Sequence, residues 1–149
     1  MGGSVLVLNG PNLNLLGERD PEVYGTTTLA DVERLCRETA GDLDLDVELF
    51  QSNHEGVLID KVHEVRRTAS ALVVNLGAYT HTSIALMDAL AVLSQPVIEV
   101  HLSNIHAREP FRRHSYVSLV ADAVIAGAGA NGYALALRHA ASLLEGSAR

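Results

Sequence analysis

Cysteine and lysine are each represented by a single residue, Cys36 and Lys61, in this sequence of 149 residues. One cysteine excludes an internal disulfide bond and any zinc site built from several thiolates, and it is consistent with a reducing compartment. One lysine leaves a single side chain that could form an imine with a carbonyl substrate. The helical period places Lys61 on the exposed side of its predicted helix, which weakens that chemistry.

Basic residues and long hydrophobic runs are also scarce. The chain has 11 basic and 18 acidic residues, for a net charge of −7, and such a field repels the phosphate backbone of nucleic acid. The N-terminal residues lack the basic flank and apolar core of a signal peptide. The longest stretch without an acidic or basic residue, 68–87, is interrupted by polar side chains and does not predict a membrane span. We therefore expect a cytoplasmic protein with no nucleic-acid or membrane partner.

The composition is that of a globular protein, with 48% hydrophobic and 19% charged residues. A length near the roughly 150 residues of a typical domain predicts one catalytic domain over residues 1–149. Short apolar runs alternate with segments of helical period, which predicts an α/β fold with a flavodoxin-like, doubly wound, five-stranded parallel sheet in three layers. The predicted strands are 5–9, 46–51, 71–75, 97–101 and 123–126. The first predicted helix spans 28–41 and opens at a cap formed by Thr28 and Asp31, and the third runs from about 81 to 93. The second carries Leu58, Val62, Val65 and Ala69 on one face, and the last carries Ala136, Ala140, Leu143 and Leu144.

Two motifs suggest a cofactor or a metal site, but the residues around each of them do not match such a site. Gly127, Gly129 and Gly132 match the GxGxxG pattern, but the chain ends too soon for the acidic residue and the next strand of a dinucleotide site. Small residues at a tight strand-to-helix turn are the preferred interpretation. Three histidines occur within 101–114 without a thiolate or a regular helical spacing, so these motifs predict neither a dinucleotide site nor a metal site.

Glu99 and His101 interrupt a strand that should be apolar throughout if both of its faces are buried. A two-residue offset puts both side chains on one face, where the carboxylate can accept a proton from a ring nitrogen of His101. The pair is either a satisfied structural contact or an imidazole held ready as an acid or base. Its place at the end of a strand favours the second interpretation.

The loop over residues 9–25 is too long for a simple strand-to-helix turn, and it contains Arg19 and Tyr24. Tyrosine is a poor base at neutral pH because its reference pKa is about 10, and a fixed guanidinium nearby favours the phenolate. Gly17 and Gly25 could act as hinges of a lid. The spacing alone favours the alternative, a surface tyrosine with an unrelated arginine.

Polar residues also follow the third and fourth predicted strands. Asn75 and His81 flank a turn into a helix that carries Asp88 among apolar neighbours. Helix capping does not explain the first two, whereas Asp88 is either solvated or functional. After the fourth strand, Arg108, Arg112 and Arg113 form the densest basic cluster in an acidic chain, which suits a small carboxylate substrate, although a structural arginine pair is the alternative.

Taken together, these motifs resemble type II 3-dehydroquinate dehydratase over nearly the whole chain. The resemblance implies a flavodoxin-like fold, no cofactor, and dehydration of 3-dehydroquinate to 3-dehydroshikimate in the shikimate pathway. It also implies a homo-dodecamer, a tetramer of trimers. The matching segments are NGPNLNLLGER (9–19), YG (24–25), QSNHEG (51–56), GAYTHTS (77–83), EVHLSN (99–104) and REPFR (108–112).

Residue roles follow from the same resemblance. Tyr24 would remove a proton from C2 of the substrate, with Arg19 keeping its phenolate ionised. His101, oriented by Glu99, would protonate the departing C1 hydroxyl, and Asn12 would hold a water over the enolate oxygen. The substrate would be bound by Asn75, His81, Leu102, Ser103 and Arg112 of one subunit and by Asp88 of a neighbour.

Two other functions are alternatives to this one. A flavodoxin-like module that binds FMN or a small acid needs no catalysis, but binding alone does not require Tyr24, Arg19, Asn12, His101 and Glu99 together. A yellow purified protein would identify bound flavin. A dehydratase that acts through a lysine imine would depend on Lys61.

Overall fold

The computed structural model describes residues 2–147, in which five parallel strands form one sheet. The strands lie in the order β2-β1-β3-β4-β5. Each predicted strand is confirmed within one residue. Their bounds are β1 Ser4–Asn9, β2 Asp46–Gln51, β3 Ala71–Asn75, β4 Val97–His101 and β5 Ala123–Ala126.

Helices connect the strands, and short 3-10 turns extend several of the loops. The α-helices are α1 Pro21–Tyr24, α2 Leu29–Asp42, α3 Glu55–Val65, α4 Ile84–Ala91 and α5 Asn131–Ser147. Within residues 2–147, no helix is long and apolar enough to cross a membrane.

The helix boundaries differ from the prediction at several places. Helix α4 begins after Ser83, whose hydroxyl accepts a hydrogen bond from the amide of Leu86, so His81 belongs to a preceding 3-10 turn, Gly77–His81. Helix α3 ends at Val65 rather than at Ala69. Helix α2 continues through Gly41 to Asp42. Helix ends are set by local capping contacts that the hydrophobic period does not encode.

The start of α2 follows directly from its sequence. The Thr28 hydroxyl accepts from the Asp31 amide at 3.1 Å, and the Asp31 carboxylate accepts from the Thr28 amide at 3.0 Å. This reciprocal pair is a capping box, as predicted from the residues. It places Val32, Cys36 and Ala40 on the buried face of the helix.

Alternation along the strands produces two cores and hence three layers. Val5 and Val7 of β1 pack in one core with residues of α2 and α5, whereas Leu6 and Leu8 pack in the other core with residues of α3 and α4. Adjacent side chains in a strand point to opposite faces, so one strand supplies both cores. The predicted doubly wound architecture is confirmed.

The predicted exposure of Lys61 is wrong. Its Nζ lies 2.6 Å from Oε2 of Glu48 and 3.3 Å from Oε2 of Glu64, and the side chain is buried over the ring of Phe50. The hydrogen bond to Glu48 raises the pKa of Lys61, although desolvation acts in the opposite direction. Helical period describes α3 alone and does not reveal a carboxylate supplied by the neighbouring strand β2.

Candidate active site

The candidate site lies at the carboxyl ends of β1, β3 and β4. Strand β1 pairs with β2 on one side and β3 on the other, so the connections on its two sides diverge and leave a crevice between them. A cavity of about 140 Å³ occupies this crevice. It is lined by Pro11, Asn12, Leu13, Arg19, Tyr24, Asn75, Gly77, Ala78, His81, His101, Leu102, Ser103, Ile105, Arg108 and Arg112.

All of the predicted site residues line this cavity except Glu99 and Asp88. Glu99 is buried behind His101. Asp88 is exposed on α4 and does not reach the cavity of its own chain. The fold therefore gathers residues from three loops that are far apart in sequence.

The loop after β1 presents Tyr24 to two arginines. The guanidinium carbon of Arg19 lies 4.8 Å from the centre of the Tyr24 ring, and that of Arg108 lies 5.4 Å from it. Nη1 of Arg108 also donates to the phenol oxygen at 2.9 Å. Two positively charged side chains from different loops therefore lie against one phenol.

Arg108 is a functional candidate to which the sequence analysis assigned no individual role. In the sequence it is one member of a basic cluster, and a separation of 84 positions from Tyr24 hides their contact. Its Nη1 also lies 3.4 Å from the Ser103 hydroxyl, to which it donates. Arg108 therefore links the loop after β1 to the loop after β4.

Glu99 and His101 form the pair that their spacing predicts. Nε2 of His101 is hydrogen-bonded to Oε2 of Glu99, and both side chains are buried. Burial acts to raise the pKa of Glu99, but hydrogen bonds from His101, Ser118 and Ser115 and the charge of His101 outweigh it, so the pKa is lowered. The bond through Nε2 leaves Nδ1 as the ring nitrogen available to a bound molecule.

His81 has a different environment from His101, although the two ring centres are only 6.3 Å apart. Nδ1 of His81 lies 2.7 Å from the carbonyl oxygen of His114. A carbonyl only accepts, so Nδ1 carries the proton and Nε2 is the acceptor in the neutral ring. Burial lowers the pKa of His81, even though the bond to His114 acts the other way.

Asn75 is oriented from beneath by a buried tyrosine. Its Nδ2 donates to the hydroxyl of Tyr133 at 2.9 Å, and that hydroxyl donates to Oδ1 of Asn9 at 2.6 Å. Oδ1 of Asn75 accepts from the Gly77 amide at 3.4 Å. These contacts fix the orientation of the Asn75 amide in the cavity wall. Tyr133 is a functional residue that the sequence did not reveal.

Glycine allows the loops after β1 and β3 to approach closely. A Cβ atom at Gly10 would lie 2.3 Å from the carbonyl oxygen of Leu76, and Gly77 has φ +56°, in the left-handed region. Any side chain at Gly10 would push the two loops apart. The amide of Gly10 donates to the carbonyl of Asn75 at 2.8 Å, which holds Asn12 and Asn75 on adjacent walls.

The GxGxxG segment shapes the site without forming a nucleotide loop. The amide of Gly127 donates to the His101 carbonyl at 3.3 Å, and the amide of Gly129 donates to the Leu102 carbonyl at 3.0 Å. A Cβ atom at Gly132 would lie 3.3 Å from Val100. The segment thus forms a tight strand-to-helix turn that fixes the end of β4.

The electrostatics of the cavity suit a small anion. Its lining contains three arginines, Arg19, Arg108 and Arg112, and no acidic residue, in a chain of net charge −7. Such a local positive field attracts a carboxylate. Among the described residues, no three His, Cys, Asp or Glu side chains are grouped so as to hold a metal ion.

Comparison with known proteins identifies the family of this chain. The family model for class II dehydroquinase matches residues 3–141. A 3-dehydroquinate dehydratase of Methylobacterium radiotolerans is 61% identical over 146 residues, covering 98% of each chain. Catabolic 3-dehydroquinase 2 of Aspergillus flavus is 58% identical and covers 96% of this chain and 95% of its own.

A solved structure of a type II dehydroquinase has the same fold. The type II dehydroquinase of Butyrivibrio crossotus superposes with a TM-score of 0.91 at 41% identity, covering 93% of this chain and 97% of its own. The fold and the site define an α/β protein with an arginine-lined cavity at the switch point of its parallel sheet. The chain belongs to the class II dehydroquinase family.

Proposed function

We propose that this chain removes water from 3-dehydroquinate through an enolate intermediate, with Tyr24 as the base and His101 as the acid. The chain is a hydro-lyase of its family, a 3-dehydroquinate dehydratase. The observation that carries the proposed mechanism is that Tyr24, flanked by two arginines, and His101, paired with Glu99, line one cavity.

The first step is proton transfer from C2 of the substrate to the phenolate oxygen of Tyr24. Loss of this proton places negative charge on the carbonyl oxygen as an enolate. Arg19 and Arg108 stabilise the phenolate before the step, since both guanidinium groups lie against the ring. Asn12, at the cavity wall, holds the water that donates to the enolate oxygen.

The second step breaks the bond between C1 and its hydroxyl. The electron pair of the enolate forms the C1–C2 double bond, and His101 gives a proton to the leaving oxygen, so the products are 3-dehydroshikimate and water. The Glu99 carboxylate orients the imidazole and stabilises its charged form. Proton transfer by such a group typically contributes about 10²- to 10⁴-fold in rate.

The remaining wall of the cavity binds the substrate. Arg112 pairs with the substrate carboxylate, and the amides of Leu102 and Ser103 with the Ser103 hydroxyl support the same group. Asn75 and His81 contact the substrate hydroxyls. The neutral form of His81 lets Nε2 accept from one of them.

We place Asp88 in the site of a neighbouring subunit, within a dodecamer built from four trimers. Asp88 is exposed on α4 between Ile84 and Val92, which are 52% and 68% exposed. Ile84 begins α4 and Val92 directly follows it, so an exposed apolar residue lies about one turn to either side of Asp88, which suits a subunit interface. Cytoplasmic location and a role in the shikimate pathway, toward chorismate and aromatic amino acids, stay predictions from the sequence.

The reaction itself is tested by adding 3-dehydroquinate to the purified protein and following the ultraviolet absorbance of the conjugated enone product. We expect turnover without added metal or cofactor. A chelator in the assay should leave the rate unchanged. No product at any enzyme concentration would contradict the proposed function.

A further inference from the structure

Residues 114–118 hold both cavity histidines in place, His81 directly and His101 through Glu99. The segment contains no recognised sequence motif. The carbonyl of His114 accepts from Nδ1 of His81, and the amide of Tyr116 donates to the carbonyl of Thr80 at 2.9 Å. The hydroxyls of Ser115 and Ser118 reach the buried carboxylate of Glu99. Neither serine lines the cavity, so both contact Glu99 from outside it.

The hydrogen bonds to Glu99 have a defined direction. The Ser115 hydroxyl lies 2.8 Å from Oε2 of Glu99, and the Ser118 hydroxyl lies 2.5 Å from Oε1. The amide of Ser118 donates to the Ser115 oxygen at 3.1 Å, so Ser115 is already an acceptor there and its own proton can point at Glu99. With His101 on Oε2 as well, both carboxylate oxygens are occupied by donors.

Three donors around one carboxylate affect its charge and its orientation. Hydrogen bonds to the ionised form of an acid favour that form, and here they oppose the burial of Glu99. A carboxylate held at both oxygens also cannot rotate away from the imidazole. An ionised, fixed carboxylate is what a histidine needs in order to carry a proton to a leaving group.

We propose that Ser115 and Ser118 are positioning residues for the proton donor: through Glu99 they keep His101 in the orientation and charge state that protonates the leaving hydroxyl. This inference rests on the proposed function for its kinetic consequence. Its structural part, the control of Glu99 by two hydroxyls, concerns the free protein and can be measured without any substrate.

The test compares Ser115→Ala and Ser118→Ala with Ser115→Thr and Ser118→Thr. Threonine keeps the hydroxyl, and Ser118 is exposed enough for the added methyl group. Ser142→Ala, at an exposed position of α5, is the control for loss of a serine far from Glu99. The first readout is the pH titration of the Glu99 carboxyl carbon by NMR in the free protein. The second is the pH profile of kcat.

Other titratable and charged groups near the pair are unchanged in these variants. They are His101 on the same strand, His81 from the 3-10 turn after β3, and Arg112 from the loop after β4. A shift in the Glu99 titration can therefore be assigned to the lost hydroxyl. Removing a donor destabilises the carboxylate, so the Glu99 pKa should rise in each alanine variant.

We expect each alanine variant to lower kcat by about tenfold, as fits loss of one hydrogen bond to a charged group. The acid side of the kcat profile should move to higher pH, whereas KM should change little. The threonine variants should recover the wild-type titration and profile. An unchanged Glu99 titration in both alanine variants would overturn the inference, even if the enzyme were active.

A failure of the proposed function gives a different pattern. In that case wild-type protein would not turn over 3-dehydroquinate, yet the NMR titration would still report whether the serines control Glu99. A lower kcat with an unshifted titration and no recovery by threonine would mean that the serines matter only for folding, which contradicts the inference. Thermal unfolding of each variant provides the check on folding.

Discussion

At the scale of single residues, Tyr24 is the side chain whose chemistry depends most on its neighbours. Its phenol oxygen accepts from Arg108, and its ring lies against both Arg19 and Arg108. The three side chains come from two loops, so the arrangement is complete only in the folded chain. The same holds for His101, which depends on Glu99 beside it and on two serines from a later loop.

Tyr24→Phe tests the base. The variant keeps the ring that fills the cavity wall but has no ionisable oxygen, so we expect kcat to fall by at least about two to four decades while substrate binding is retained. The measurements are steady-state kinetics and calorimetric titration with substrate. Tyr116→Phe, outside the cavity lining, is the matched control and should keep its rate. Near-normal turnover by Tyr24→Phe would exclude Tyr24 as the base.

Tyr133→Phe tests the buried support of Asn75. The change leaves Oδ1 of Asn9 without its donor from Tyr133, and Nδ2 of Asn75 without its acceptor there. Leaving buried polar groups unpaired costs about 1–3 kcal/mol, so the free energy of unfolding should fall by that amount in denaturant titrations. Tyr116→Phe again serves as the control. A variant as stable as wild type would show that this network does not stabilise the fold.

At the scale of elements, helix starts and close loop approaches position the site. Helix α2 begins at a capping box that the sequence predicts. Helix α4 begins three residues after His81 because Ser83 caps it. As a result, His81 lies in a 3-10 turn, where its ring is held by the carbonyl of His114.

Thr28→Ala tests the capping box of α2. Loss of the hydroxyl leaves the amide of Asp31 without its partner, and caps of this kind typically contribute about 1 kcal/mol. We expect the free energy of unfolding to fall by about that amount, with little change in kcat. Thr26→Ala, at an exposed loop position, is the control. Equal stability of the two variants would show that α2 does not depend on this cap.

At the scale of the whole molecule, acidic pH should destabilise the fold in two stages. The pKa of His81 is lowered by burial, so the unfolded chain takes up a proton below about pH 6.5 while the folded chain does not. The pKa of Glu99 is also lowered, so its contribution is present above its unfolded value of 4.5 and is lost as pH falls through the folded pKa. Denaturant titrations over this range measure both stages.

His81→Asn separates the two contributions. The asparagine does not titrate, so the decline in stability that begins near pH 6.5 should become shallower, whereas the decline below pH 4.5 should remain. The control is His139→Asn, an exposed histidine on α5, which should leave both stages in place. An unaltered first stage in His81→Asn would contradict the assignment to His81.

Shared sites in the proposed assembly give a test by mixing. Tyr24→Phe and Asp88→Ala should each be nearly inactive, so the two pure proteins are dissociated, mixed and reassembled. If Asp88 serves a neighbouring subunit, some sites then take Tyr24 from one chain and Asp88 from another, and part of the activity returns. If Asp88 serves its own chain, every site keeps one lesion and activity stays at the parental level.

The sequence by itself determined the features that depend on short-range periodicity. Short apolar runs and segments of helical period predicted the five strands and the three layers, because side-chain direction repeats at fixed intervals along one element. The residue pair Thr28 and Asp31 predicted the α2 cap. The two-residue offset of Glu99 and His101 predicted their contact for the same reason. The resemblance of the loop motifs then indicated the family.

Only the tertiary structure decided which groups approach from other elements. Lys61 was expected to be exposed, but it is buried and pairs with Glu48 of β2. Arg108 contacts Tyr24 across 84 residues, and Ser118 contacts Glu99 from a later loop. Such contacts depend on how the loops at the carboxyl ends of the strands converge, and no local period in the sequence encodes that convergence.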